Sequence, residues 1–314
     1  MKEESSTQVL KHISDLTVPD VELRSLFALL DDPDPRIAEV VTERIRTRGH
    51  GAISPLLDFL ELNSDPLART RGEQIAAEFN IERMNREFES LAQRLERGDR
   101  AAFEDGVFLI GRYGNPQLDL TEHKSDLDSF AQMLDYRIAG LTSALEVLEE
   151  VNHFFFDELR FRGNQAKFME PENSYIDKVI ERRMGIPISL AIVYLLVVRT
   201  RLKLPFSGAS APGHFLVRYD GLRSEPLFID AFNGGTVLRE RDIKRYLDGS
   251  GLPFNRQFLE PTHPRSILLR MIRNLIIVFT ELGNTRARKA FEGFMRILAP
   301  DAPEGQAFLR GLEG

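Results

Sequence analysis

The chain has 314 residues, 42% hydrophobic and 28% charged, which is ordinary for a soluble globular protein and suggests two domains, or three, at roughly 100–200 residues each. It contains no cysteine, which excludes disulfides, thiolate metal sites and a cysteine nucleophile and fits a cytoplasmic protein. The net charge of −7, with both signs interspersed, argues against unaided binding to nucleic acid, because phosphate contacts need a basic patch.

Met1 to His12 hold no apolar stretch behind a basic start, so no signal peptide is expected. Residues 20–100 read as a helical N-terminal region. Leu23, Leu26, Phe27 and Leu30 recur at i, i+3, i+4 and i+7, which is one helix face. Asp31-Asp32-Pro33-Asp34-Pro35 is a turn followed by a helix start. Ile37, Val40, Val41 and Ile45 suggest the next face, Gly49-His50-Gly51 a break, and Ile53, Leu56, Leu57 and Leu60 a third face. This pattern resembles a single HEAT-type helical repeat; the plainer reading is a small helical layer capping the core.

Helix is expected to continue over 81–147, with a loop at Gly111 to Pro116 and strong periodicity from Glu122 to Leu148. Another amphipathic helix is expected over 142–158. Asn173 or Ser174 is placed to cap a helix over 176–183. Pro187 suits the first turn of the next helix, 188–201, which is apolar nearly all round and so expected to be buried. The apolar run Ile186 to Val198 is interrupted by Pro187, Ser189 and Tyr194 and is shorter than the ~20 residues of a membrane span, so no membrane association is expected.

Beyond Leu204-Pro205 the pattern turns to strands, at Phe206 to Ser210, His214 to Tyr219 and Leu227 to Asp230, with turns at Asp220-Gly221 and Asn233-Gly234-Gly235. A short helix is expected from Arg239 to Leu247. Helices over 264–281 and 285–298, joined at Leu282-Gly283-Asn284, resemble one tetratricopeptide-type hairpin, and a further short helix is expected after Asp301-Ala302-Pro303. The expected domains are 1–100, 101–255 and 256–314.

His214 opens one expected strand and Asp230 closes the next. If the two strands are antiparallel neighbours, both side chains meet at one edge, and a histidine oriented by a carboxylate is the general-base half of a triad. Asn164, Asn173 and Asn233 lie in expected loops, where they either build a cleft rim or satisfy backbone groups. Arg160, Arg162, Arg182 and Arg183 form a local basic cluster that either pairs with Glu170, Glu172 and Glu181 or faces an anionic ligand. No H-E-x-x-H, P-loop or G-x-G-x-x-G pattern is present, and the other five histidines show no metal-like spacing, so neither metal nor cofactor is expected.

The stretch Val151-Asn152-His153, Phe161-Arg162-Gly163-Asn164, Asn173-Ser174-Tyr175-Ile176 and Arg182 through Leu190, followed by Pro212 through Arg218 and Phe228 through Gly235, resembles the SirB-type family of the transglutaminase-like superfamily. The resemblance covers about 120–250. It implies a helix-rich α+β fold, with a transglutaminase-like (papain-like) core, a small antiparallel sheet and helical layers at both ends. It also implies a cysteine at the start of the buried helix, a histidine starting one strand and an aspartate ending the next. His214 and Asp230 match the last two positions. The cysteine position falls at Pro187, Ile188 or Ser189, and none is cysteine.

Two functions follow as expectations. One is a non-catalytic scaffold that binds a protein or peptide through the retained cleft, with Asn164, Asn173, Asn233, Arg162 and Arg183 around it. The other is a hydrolase or acyltransferase using Ser189, His214 and Asp230, since serine attacks when a base removes its proton. A nucleophile within reach of His214 would favour the second. An apolar or backbone-capping residue there would favour the first.

Overall fold

The computed structural model describes residues 21–300, apart from Ser224 and the side chain of His50. The N-terminal segment and the short helix expected after Pro303 lie outside the described residues. The chain divides into two compact units between Arg86 and Glu87.

In the first unit, α1 (Val21–Ala28) buries Leu23, Leu26 and Phe27. Helix α2 (Pro35–Thr47) starts with Pro35 in its first turn, capped by the Asp34 carboxylate, which accepts from the Arg36 amide at 2.9 Å. Its inward face is Ala38, Val41 and Ile45. The expected face was set about one residue off, because Ile37 and Val40 are 38% and 62% exposed. In α3 (Ile53–Leu62) the buried side chains are Leu56, Phe59 and Leu60. One apolar cluster joins these residues to Ala68, Ile75 and Phe79 of the long helix α4 (Pro66–Glu96), within which the division between units falls.

The second unit opens with α5 (Ala101–Gly111), buried over most of its length, and α6 (Leu120–Ile138), capped by Asp119. The periodic stretch 122–148 is not one helix. It breaks after Ile138 at Gly140 and resumes as α7 (Ala144–Asn152), so the apolar spacing runs on through a non-helical link. A π-helical turn, His153–Glu158, follows. Helix α8 (Ile176–Arg182) starts at Tyr175 without a side-chain cap, so neither Asn173 nor Ser174 caps it. Every residue of α9 (Pro187–Leu195) is buried, and a second π turn, Leu196–Arg201, ends that run.

Two strand pairings organise this unit. Strands β1 (Arg162–Gly163) and β2 (Met184–Gly185) pair in parallel over two residues, too briefly for a periodic signal. An antiparallel meander follows, made of β3 (Phe206–Ala211), β4 (His214–Tyr219), β5 (Leu227–Asp230) and β6 (Thr236–Leu238). β6 lies at the sheet edge with Thr236 and Val237 exposed, which is why its sequence carries no buried-strand pattern. Helix α10 (Glu240–Gly249) buries Ile243 and Leu247 against Ala209, Leu216 and Phe228 of the sheet. Helices α11 (Pro264–Glu281) and α12 (Thr285–Leu298) form the C-terminal hairpin and pack inside the second unit, where Phe294 stacks on Phe88 at 4.5 Å between ring centroids. Among the described residues no helix is long and apolar enough to cross a membrane.

Candidate functional site

The antiparallel register pairs Val217 with Ile229 and Tyr219 with Leu227. It brings the start of β4 beside the end of β5. His214 Nε2 lies 2.8 Å from Asp230 Oδ1, with the contact directed off the in-line geometry of a full hydrogen bond. Asp230 is also held by its own turn. Its Oδ1 accepts from the Phe232 and Asn233 amides, each at 3.1 Å, and its Oδ2 accepts from Asn233 Nδ2 at 2.8 Å. Burial alone would raise the Asp230 carboxyl, but the His214 contact and the Asn233 amide outweigh it and hold the group below the usual carboxylate range.

The turn that carries Asp230 is anchored from behind. Asn152 donates from Nδ2 to the Gly235 carbonyl at 3.0 Å, and its Oδ1 accepts from the buried Tyr194 hydroxyl at 3.1 Å. Gly235 has φ 76°, and a Cβ there would stand 2.3 Å from the Phe156 ring, so only glycine fits.

A cavity of about 330 Å³ opens beside His214, bordered by Pro187 and Ile188 at the start of α9. Ser189 does not line it. Its hydroxyl is fully buried, donates to the Asn173 carbonyl at 2.6 Å, accepts from the Ile186 amide at 3.0 Å and lies 3.1 Å from the Ile186 carbonyl. His214 and Asp230 are thus brought together, while Ser189 has only backbone partners among the described residues.

Two of the three asparagines, Asn164 and Asn173, hold backbone. Asn173 is completely buried, and its Nδ2 donates to the Lys167 and Phe168 carbonyls at 2.7 and 3.2 Å. Asn164 donates to Asn173 Oδ1 at 2.9 Å and accepts from the Lys167 amide at 3.1 Å. Asn233 braces Asp230, as described above. The basic cluster disperses. Arg182 pairs with Glu170 at 2.7 Å. Arg183 sits at φ 54°, and its guanidinium lies over the Phe130 and Phe161 rings at 4.6 and 4.9 Å, where burial pulls it below the usual range. The Arg162 amide donates to the Arg183 carbonyl at 3.0 Å, and Arg162 does not line the cavity. Among the described residues no group of three His, Asp or Glu could hold a metal ion.

The arginines that do face the cavity, Arg270 and Arg273, come from α11 and are absent from the reading of the sequence. With Asn274 they recur at i, i+3 and i+4, a polar stripe beside the apolar one of Ile267, Leu268, Met271, Ile272 and Leu275. That spacing was visible, but nothing in it indicates that the stripe turns toward a histidine 56 residues earlier.

Residues 121–273 match the family model of the transglutaminase-like superfamily. A UPF0162 protein of Xylella fastidiosa is 34% identical over 208 residues, covering 63% of this chain and 72% of that protein. The chain belongs to the SirB-type family of transglutaminase-like proteins. Protein SirB1 of Salmonella typhimurium is 29% identical over 135 residues, or 43% of this chain and 49% of that one. Human F-box only protein 21 is 27% identical over 207 residues, or 57% of this chain and 32% of that one. No solved structure matches.

Proposed function

We propose that this member of the SirB-type family is a non-catalytic module that binds a protein or peptide partner through its retained cleft. The observation that carries the reading is the environment of the missing nucleophile. The cavity beside His214 meets α9 through Pro187 and Ile188, neither of which has a nucleophilic atom. The one hydroxyl nearby in sequence, on Ser189, is bound to backbone on both its donor and its acceptor side. Serine would need its proton taken by a base in contact with it, and among the described residues the partners of Ser189 are backbone groups, none of them a base. The His214–Asp230 pair then serves to fix the cleft edge.

The test is turnover. Purified full-length protein is incubated with p-nitrophenyl esters, with peptide amides, and with a glutamine peptide plus a primary amine. The expected result is no release above buffer, unchanged in His214→Ala. Turnover abolished by both His214→Ala and Ser189→Ala, with the fold retained, would instead establish the serine-dependent hydrolase or acyltransferase.

A further inference from the structure

The cavity beside His214 has a charge pattern that the histidine–aspartate pair does not account for. Arg270 and Arg273 both line it, and no acidic residue does. Arg270 is half-buried. Its Nη1 donates to Ser210 Oγ at 2.6 Å and to the Ala211 carbonyl at 2.9 Å, and its Nη2 donates to the His214 carbonyl at 2.9 Å. All three acceptors are neutral. A guanidinium has five N–H groups, so the Nε–H and one Nη2 hydrogen carry no protein partner among the described residues.

Buried cations are normally matched by a carboxylate. Here burial, with the positive charge of Arg273 beside it, pulls the Arg270 guanidinium down to about 10, still charged at neutral pH. The Phe215 ring also lies 5.6 Å from the guanidinium carbon. The lining also includes apolar side chains, Phe168 and Ile188 among them.

We infer that this cavity takes a small ligand bearing a carboxylate, whose charge sits against Arg270 and Arg273 and whose apolar portion lies against Phe168 and Ile188. A guanidinium edge matches a carboxylate in two parallel hydrogen bonds. The volume of about 330 Å³ is at the lower end of the roughly 300–1,000 Å³ of small-molecule sites, enough for one or two residues of a peptide or a small organic acid. The apolar wall favours a carboxylate on a hydrocarbon over a phosphate, which would need more donors around it. The inference rests on the cleft being a binding site and supplies the chemistry of what it binds.

The test titrates the full chain by calorimetry with N-acetyl-L-leucine, N-acetyl-L-leucinamide, inorganic phosphate and an N-acetylated tetrapeptide with a free C-terminal leucine. The acid is expected to bind and the amide to bind at least tenfold more weakly. Arg273→Gln and Arg270→Lys are each expected to weaken the acid at least tenfold while circular dichroism stays unchanged. Arg270 also holds two strand carbonyls, so Arg273→Gln decides if the Arg270 variant unfolds. Binding of the tetrapeptide as tight as that of the acid identifies a protein C-terminus as the source, and binding of the acid alone a free metabolite; both support the inference. Equal binding of acid and amide, tighter binding of phosphate than of the acid, or no binding of either carboxylate overturns it. The turnover assay is read separately. Turnover with carboxylate binding overturns only the non-catalytic reading, and no turnover with no carboxylate binding overturns only this one.

Discussion

Replacing Ser189 by alanine separates the two roles open to that residue. If the hydroxyl is structural, its removal leaves the buried Ile186 N–H without its 3.0 Å acceptor and the Asn173 carbonyl without its 2.6 Å donor. An orphaned buried donor costs about 1–3 kcal/mol, and the second lost bond adds roughly 0.5–1.5 kcal/mol. The total is on the order of 2–3 kcal/mol, since losses at one site overlap. In a folding unit of this size each kcal/mol moves Tm by about 2–4 °C, so the expected fall is roughly 4–12 °C. Urea denaturation followed by circular dichroism, with a parallel thermal scan, measures it. Threonine at 189 retains the hydroxyl but adds a methyl in a fully buried position, so it is expected to recover only part of the loss. An Ser189→Ala protein with wild-type stability would refute the reasoning, because a hydroxyl bound on both sides to buried backbone cannot be deleted without effect.

Three further outcomes follow from buried groups. Asp230 has a folded pKa held below its unfolded value of about 3.9, so its contribution is complete above that value and is lost as pH falls through the folded value; Asp230→Asn should be less stable at pH 7, with the difference from wild type shrinking toward pH 2 in acid titrations. Asp177 is the opposite case: it is 1% exposed, neither oxygen makes a well-aligned hydrogen bond among the described residues, and burial raises its pKa against smaller opposing effects of the Lys178 amide and charge. The sign therefore reverses, the ionised carboxylate opposes folding as pH rises above the unfolded value, and Asp177→Asn should match or exceed wild-type Tm at pH 8 while losing that advantage at pH 4. Gly235→Ala must place a Cβ at φ 76° and 2.3 Å from Phe156, which costs about 1–2 kcal/mol in backbone and roughly 1–3 kcal/mol in overpacking; a denaturation midpoint equal to wild type would remove the argument that this turn is built for glycine.

The parts of this fold that could be read from sequence are those where one period dominates. The α9 run, the three long strands and the α11–α12 hairpin all carry continuous apolar patterns, and the pairing of His214 with Asp230 needs only that two strands be neighbours. Three features could not be read, for physical reasons. The inward face of α2 was misjudged because Ile37 and Val40 are apolar but exposed, and hydrophobicity alone does not exclude an apolar residue from the surface. The break between α6 and α7 is set by Gly140 and a short non-helical link, over which the apolar spacing continues by chance of register. The environment of Ser189 depends on the Asn173 carbonyl, 16 residues earlier, brought close by the two-residue β1–β2 pairing and the asparagine-braced loop. Arg270 belongs to the same class, since its acceptors lie about 60 residues away along the chain.

Asn173 carries a wider implication. Its carbonyl receives the Ser189 hydroxyl, while its amide holds the carbonyls of Lys167 and Phe168, and the Phe168 ring meets Phe232 edge-on at 5.9 Å. The Ser189 hydroxyl is therefore a rivet between the buried helix and one wall of the cleft. The space is tight, since the oxygen already lies 2.5 Å from where a side chain on Gly185 would begin, so a larger atom at 189 is expected to disturb that wall. A change at 189 is therefore expected to reach the Phe168 wall of the cleft through Asn173, as well as the helix that carries it.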